Sequence, residues 1–176
     1  MATIIKHRQV IPDSWQLLKS VAEGALAIPP EGDVIVPLNV WREQRAALLT
    51  RAGKLGVWLD GHDDPASVAA DLAHFELIAV NFKQFTDGRG YSIARLLRER
   101  YGWRGELRAI GDVLRDNVFY LSRCGFDSFA LRAEQNPQTA LAAFGDFSNA
   151  YQAAVDRPQP LFRRRATASG ESVEHA

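Results

Sequence analysis

The residues best suited to chemistry lie in one stretch, Phe85-Thr-Asp-Gly-Arg-Gly-Tyr-Ser92. Two glycines, Gly88 and Gly90, stand just before a helix expected to begin at Ser92. Glycine adopts backbone conformations closed to other residues. Free N–H groups at a helix start can point at an anion, with the helix dipole in support. Lys83, Arg89 and the hydroxyls of Tyr91 and Ser92 would complete a small-anion site, and Asp87 would be its acid–base group. A tight loop with Ser92 as N-cap accounts for the same residues without a ligand. Gly-x-Gly without a third glycine is a weak dinucleotide signal, so no NAD site is inferred.

A second group follows the apolar run that ends at Ile110. Asp112 could cap a helix, act as a general base or orient Arg89, while Arg115 would join the anion clamp. Cys124 sits near the C-terminal end of an expected helix, whose dipole raises a thiol pKa, and is expected to be buried and structural. His7, His62, His74 and His175 lack metal-ligand spacing, so no metal site is expected. His62 among Asp60, Asp63 and Asp64 fits a solvated turn. No Gly-x-Ser-x-Gly, P-loop or Cys-x-x-Cys is present. The tryptophans suit packing, and Arg163–Arg165 suits a solvated charge run.

Alternating elements must position these residues. Val34–Val40, Leu55–Leu59, Leu77–Phe82, Glu106–Ile110 and Ser128–Leu131 are the expected strands. Pro37 pushes the first towards a sheet edge. The expected helices are Trp41–Ala52, one begun by Asp64-Pro65, Ser92–Arg100, Val113–Arg123 and Pro137–Ala154. Such alternation with short connections predicts an α/β fold of about five mostly parallel strands. A doubly wound sheet and an open part-barrel both satisfy the pattern. Residues 3–18 form an irregular β segment, either a hairpin or a strand laid across the body, and Gly24–Gly32 a loop. A single domain over 1–156 and a disordered tail over 157–176 are expected. Ligands of parallel α/β folds sit at strand C-terminal ends. That rule selects five loops, around Asn39, Asp60–Asp64, Lys83–Ser92, Gly111–Arg115 and Arg132–Glu134.

With 176 residues, 21 basic and 21 acidic, the chain is neutral overall. That argues against general nucleic-acid binding, which needs a basic face. One cysteine permits no internal disulfide. No segment approaches the roughly 20 apolar residues of a bilayer span. Without a signal-like N-terminus, a cytoplasmic protein is expected.

The segments Val80–Arg100 and Gly105–Phe129 resemble a bacterial family, domain of unknown function 934. Its Asp-Gly-Arg-Gly-Tyr-Ser pattern falls on Asp87–Ser92 and its Gly-Asp-Val-Leu pattern on Gly111–Leu114. Members are often described as oxidoreductases of sulfite reduction. The resemblance implies a setting in sulfur assimilation beside sulfite reductase. It carries over no catalytic residue and leaves the cofactor unknown. One cysteine cannot supply the usual four thiolates of an iron–sulfur cluster, so an oxidoreductase would borrow its cofactor. Two functions are expected. One is an accessory protein that holds a small oxyanion or docks on the reductase. The other is an enzyme acting on a small anionic substrate, with Asp87 or Asp112 as acid–base group. An exposed apolar helix face would indicate a homo-oligomer or a docking patch.

Overall fold

The computed structural model describes residues 2–19 and 26–170. The N-terminal strands are β1 (Thr3–Lys6), β2 (Gln9–Pro12) and β3 (Gln16–Leu17). Then come β4 (Val34–Pro37), α1 (Leu38–Thr50) and β5 (Leu55–Asp60). A 3₁₀ helix (Pro65–His74) leads to β6 (Leu77–Phe82) and α2 (Arg89–Arg95), which continues as a π turn (Leu96–Arg100). The rest comprises β7 (Glu106–Gly111), α3 (Arg115–Arg123), β8 (Ser128–Phe129), α4 (Pro137–Ala140) with a 3₁₀ turn (Leu141–Gly145), and α5 (Leu161–Gly170).

The eight strands form one sheet in the order β2-β1-β8-β7-β6-β5-β4-β3. Strands β3 to β8 are parallel, and the β1–β2 hairpin joins β8 antiparallel. The order never reverses, so the fold is not doubly wound. Right-handed crossovers made in one direction place their helices on one face. The two sheet edges must also come close. Pro12 ends β2 at one edge, and Gln16 begins β3 at the other. Laid flat, such a sheet would separate its edges by about 33 Å. The chain from 12 to 16 spans at most about 14 Å. The sheet therefore curls into an open part-barrel, strapped across by residues 13–15.

Strand alternation divides the core in two. Val36, Val57, Ile78, Val80, Leu107, Ala109 and Phe129 pack with Trp41, Leu48, Ile93, Leu97, Val118 and Leu121 of the helices. Each buried Val, Leu, Ile or Phe side chain contributes roughly 1.5–3 kcal/mol on burial. Ile35, Leu77, Ala79 and Ile110 form a second cluster on the concave face, covered by Trp15 and Trp58. Pairing aligns Trp58, Ala79, Arg108, Ser128 and Lys6 in one row of that face, with Asp60, Asn81 and Ile110 in the row beyond.

Arg108 is the exception within this concave core, only 2% exposed. Its guanidinium reaches Asp13 (3.0 Å), Glu106 (2.7 Å) and the Ser128 hydroxyl (3.2 Å). Lys6 adds a 2.6 Å bridge to Glu106. The strap is thus held through Asp13.

Several expectations need correction. Val34–Pro37 is paired on both sides, although β3 opposes only Val34 and Ile35. Pro37 lies past that pairing and becomes the N-cap of α1. The third helix begins at Arg89, three residues earlier than expected, and α3 begins at Arg115. The long helix expected over Pro137–Ala154 reaches only Gly145. Beyond it Asp146 pairs with Arg115 at 2.8 Å and Phe147 packs on Phe119 at 5.0 Å. These contacts override the helix propensity of an alanine-rich segment. The hairpin reading of the N-terminus holds, with His7 and Arg8 both at positive φ (48° and 63°) in the turn. Of the loop expected over Gly24–Gly32, Gly24 and Ala25 lie outside the described residues. Of the expected tail, residues 161–170 form α5 and 171–176 lie outside the described residues.

Candidate functional site

The strand C-terminal ends carry a ring of ion pairs. Asp60 and Asn81 are register partners on β5 and β6. Asn81 Nδ2 donates to Asp60 Oδ1 at 2.8 Å, and Lys83 Nζ lies 2.9 Å from Asp60 Oδ2. In the following loop Arg89 Nε and Nη2 grip both oxygens of Asp87, at 2.9 and 2.7 Å. This pair borders the loop after β5, since a Cβ on Gly61 would lie 3.0 Å from Asp87 Oδ2. Asp112 ties three loops together. Its Oδ2 accepts from the Phe85 N–H at 2.7 Å, and its Oδ1 from Arg132 Nη1 at 3.0 Å. Arg132 also reaches Glu134 at 3.2 Å. Beside this ring a cleft of about 240 Å³ opens between the first two loops, lined by Asn39, Arg42, Trp58, Asp60 and His62.

The expected residues do not all converge. Lys83, Asp87, Arg89 and Asp112 share the rim. Tyr91 is half-buried and faces α3: its hydroxyl accepts from Asn117 at 3.0 Å, and its ring packs on Phe82 and Tyr120. Ser92 is exposed inside α2 and does not cap it; the N-cap is Gly88. The guanidinium of Arg115 is taken by Asp146 and Asp116.

The glycines also act differently from expectation. Gly88 has φ −77° and ψ −6°, open to any residue, and Gly90 is not among the positive-φ glycines. Gly90 is a packing residue, because a Cβ there would sit 2.6 Å from the Phe82 ring. Backbone freedom is used instead at Gly111, with φ +90°.

Asp112 does not cap α3; Asn117 Oδ1 accepts from the Leu114 N–H instead, at 3.0 Å. Cys124 is buried, and burial pushes its thiol pKa up. Sequence reasoning missed Asn81 and Arg42, and it placed Arg132 in a strand-end loop without pairing it with Asp112. The signal for Asn81 was a polar residue on the concave alternation of an otherwise apolar strand.

Hydrogen bonds from Arg89 hold Asp87 down to about 2. Its contribution to stability is therefore present above the ordinary Asp value of about 3.9 and lost as pH falls through about 2. Carboxyl NMR titration is expected to give a midpoint of about 2 for Asp87. In Arg89→Ala it should return to about 3.9; an unmoved midpoint would mean that the pair does not form in solution.

A family model described as a bacterial protein of unknown function (DUF934) matches residues 56–162. The chain belongs to that family. No curated protein matches it, and no solved structure does. The DUF934 segment holds β6 to β8 and nearly all of β5, with every rim loop that follows them, whereas β1 to β4 and the strap precede it. Among the described residues no group of three or more His, Cys, Asp or Glu is placed to hold a metal ion. None of the described helices is long and apolar enough to cross a membrane.

Proposed function

We propose that the protein is an accessory or binding component of sulfite reduction, receiving a small oxyanion or docking on the reductase at the strand C-terminal rim. The metabolic setting comes from the family resemblance. The observation that carries the binding reading is the pairing of the rim carboxylates. Asp87 is locked to Arg89 with its pKa near 2, so it stays ionised at neutral pH. A proton-transfer catalyst works best with a pKa near its operating pH. Asp112 is already engaged by the Phe85 N–H and Arg132. The loop around them is exposed, which suits a docking surface better than a water-excluding catalytic pocket.

On this reading Asp87 occupies the place of the ligand. Its two oxygens satisfy the guanidinium fork of Arg89 as an oxyanion would. An incoming sulfite must displace it, so native affinity is weak. Asp87→Asn is expected to tighten sulfite or sulfate binding at least tenfold, and Arg89→Ala to abolish it. Calorimetric titration at constant ionic strength, together with retention of purified sulfite reductase on the immobilised protein, tests the proposal. An absence of oxyanion binding to both native and Asp87→Asn protein, with no retained reductase, would overturn it.

A further inference from the structure

We infer that a second pocket, at the opposite end of the sheet, binds the phosphate or sulfate group of a small organic anion through Arg8, Arg123 and Arg157. The pocket measures about 260 Å³ and lies between the end of α3, the β1–β2 turn and the segment after Gly145. Lys6 pairs with Ser128, so the turn that carries Arg8 stands at the start of β8. The ion-paired rim is at the other end of the strands.

Arg123 points to a ligand. It is only 7% exposed and lines the pocket, and its Nε is buried with no hydrogen-bond partner. Nη2 donates to the Gln152 carbonyl. Asp156 Oδ1 lies 3.5 Å from Nε, near enough for attraction but not aligned to accept. A guanidinium N–H taken out of water needs an acceptor. Nε itself is enclosed, so an oxyanion in the pocket would meet the side of the guanidinium that lines it and share its charge with Asp156.

The surroundings fit the same ligand. Arg8 and Arg157 are exposed at the pocket wall. Three arginines and one carboxylate, Asp156, line the pocket, a formal charge balance matched to a dianion. Arginine presents a planar fork suited to phosphate-type oxygens, and a phosphate monoester carries roughly −1.5 to −2 at neutral pH. Arg8 lies over the Phe144 ring at 5.3 Å, in a left-handed conformation unusual for a non-glycine residue. Phe119, Phe144 and Phe147 supply apolar walls, and an adjoining cleft of about 220 Å³ shares Arg8, Ser122, Phe144 and Asp156. These walls call for an organic portion beside the anion.

The full chain is titrated calorimetrically with inorganic phosphate, inorganic sulfate, phenyl phosphate and phenyl sulfate, at constant ionic strength. At least one phenyl ester is expected to bind tenfold or more tightly than its inorganic anion. Comparison of the two esters distinguishes a phosphate from a sulfate ligand. Arg8→Ala and Arg157→Ala are each expected to weaken binding at least tenfold with unliganded melting unchanged, because both side chains are exposed. Arg89→Ala is expected to leave it untouched. Absence of saturable binding by all four probes would overturn the inference, as would binding that survives both pocket substitutions. Loss of binding in Arg89→Ala would also overturn it, placing the anion on the rim and favouring the proposal made above.

Discussion

Arg108→Ala is expected to destabilise the protein by about 3–5 kcal/mol, the usual cost of removing one partner from a buried ionic network. The guanidinium is the central cation of the concave core. Without it Asp13 keeps the Trp15 N–H as a donor but loses its cation, and Glu106 keeps Lys6 and the Ser128 hydroxyl. The strap across the sheet loses its anchor with them. Burial alone would push the pKa of Glu106 up, but Arg108 and Lys6 hold it below its ordinary value. The stability from Glu106 is thus present above about 4.3, its unfolded value, and lost as pH falls through the native pKa. In the variant that depression is relieved. The gap between native and variant protein should therefore narrow as pH falls below about 4.3. Urea unfolding at several pH values measures both effects. A loss below about 1 kcal/mol at pH 7, typical of exposed pairs, would show that the network contributes nothing beyond a surface bridge.

The second large effect is expected at Gly111. Its φ of +90° is strained for an L residue, and an added Cβ would lie 2.4 Å from the Phe82 carbonyl and 2.5 Å from Asn81 Oδ1. Neither neighbour can yield freely. The Phe82 carbonyl accepts from the Asp112 N–H at 2.7 Å, and Asn81 holds Asp60. Backbone strain and overpacking together predict that Gly111→Ala costs about 2–4 kcal/mol. Gly88→Ala is the control. Its backbone is already in the right-handed region, and the nearest atom to an added Cβ is 4.0 Å away. That change should be neutral within about 0.5 kcal/mol. Equal damage from both substitutions would refute the roles assigned to the two glycines.

These two glycines show how far the sequence could be read. Leu77–Phe82 announced itself as a strand because an apolar run buried on both faces leaves few alternatives. Asp64-Pro65 marked a helix start correctly, since the Asp64 side chain accepts from the Ala66 N–H at 2.9 Å. Both signals are local. The closeness of the two sheet edges is not local, because it depends on pairing between Ile5 and Phe129. β3 is too short, at two residues, to show a period. Pro137–Ala154 looked helical by composition, while Phe119 and Arg115, far back in the chain, decided otherwise. At the rim the third loop was legible by its charges and glycines. The pairing of Asn81 with Asp60 and of Arg132 with Asp112 was not, because only the order and register of the strands bring those residues together.

The strand order also sets a timetable for synthesis. β4 to β7 each pair with the neighbour before them in sequence, so a growing chain can add them in turn. β1 has a different lot, for its inner partner is β8, and Ile5 waits for Phe129. At roughly 5–20 residues per second that interval is about 6–25 s. Through it the hairpin carries Ile4 and Ile5 past the ribosome with no edge to cover them. The last contact made closes the concave face, and an unfinished nascent chain would be most vulnerable to aggregation there.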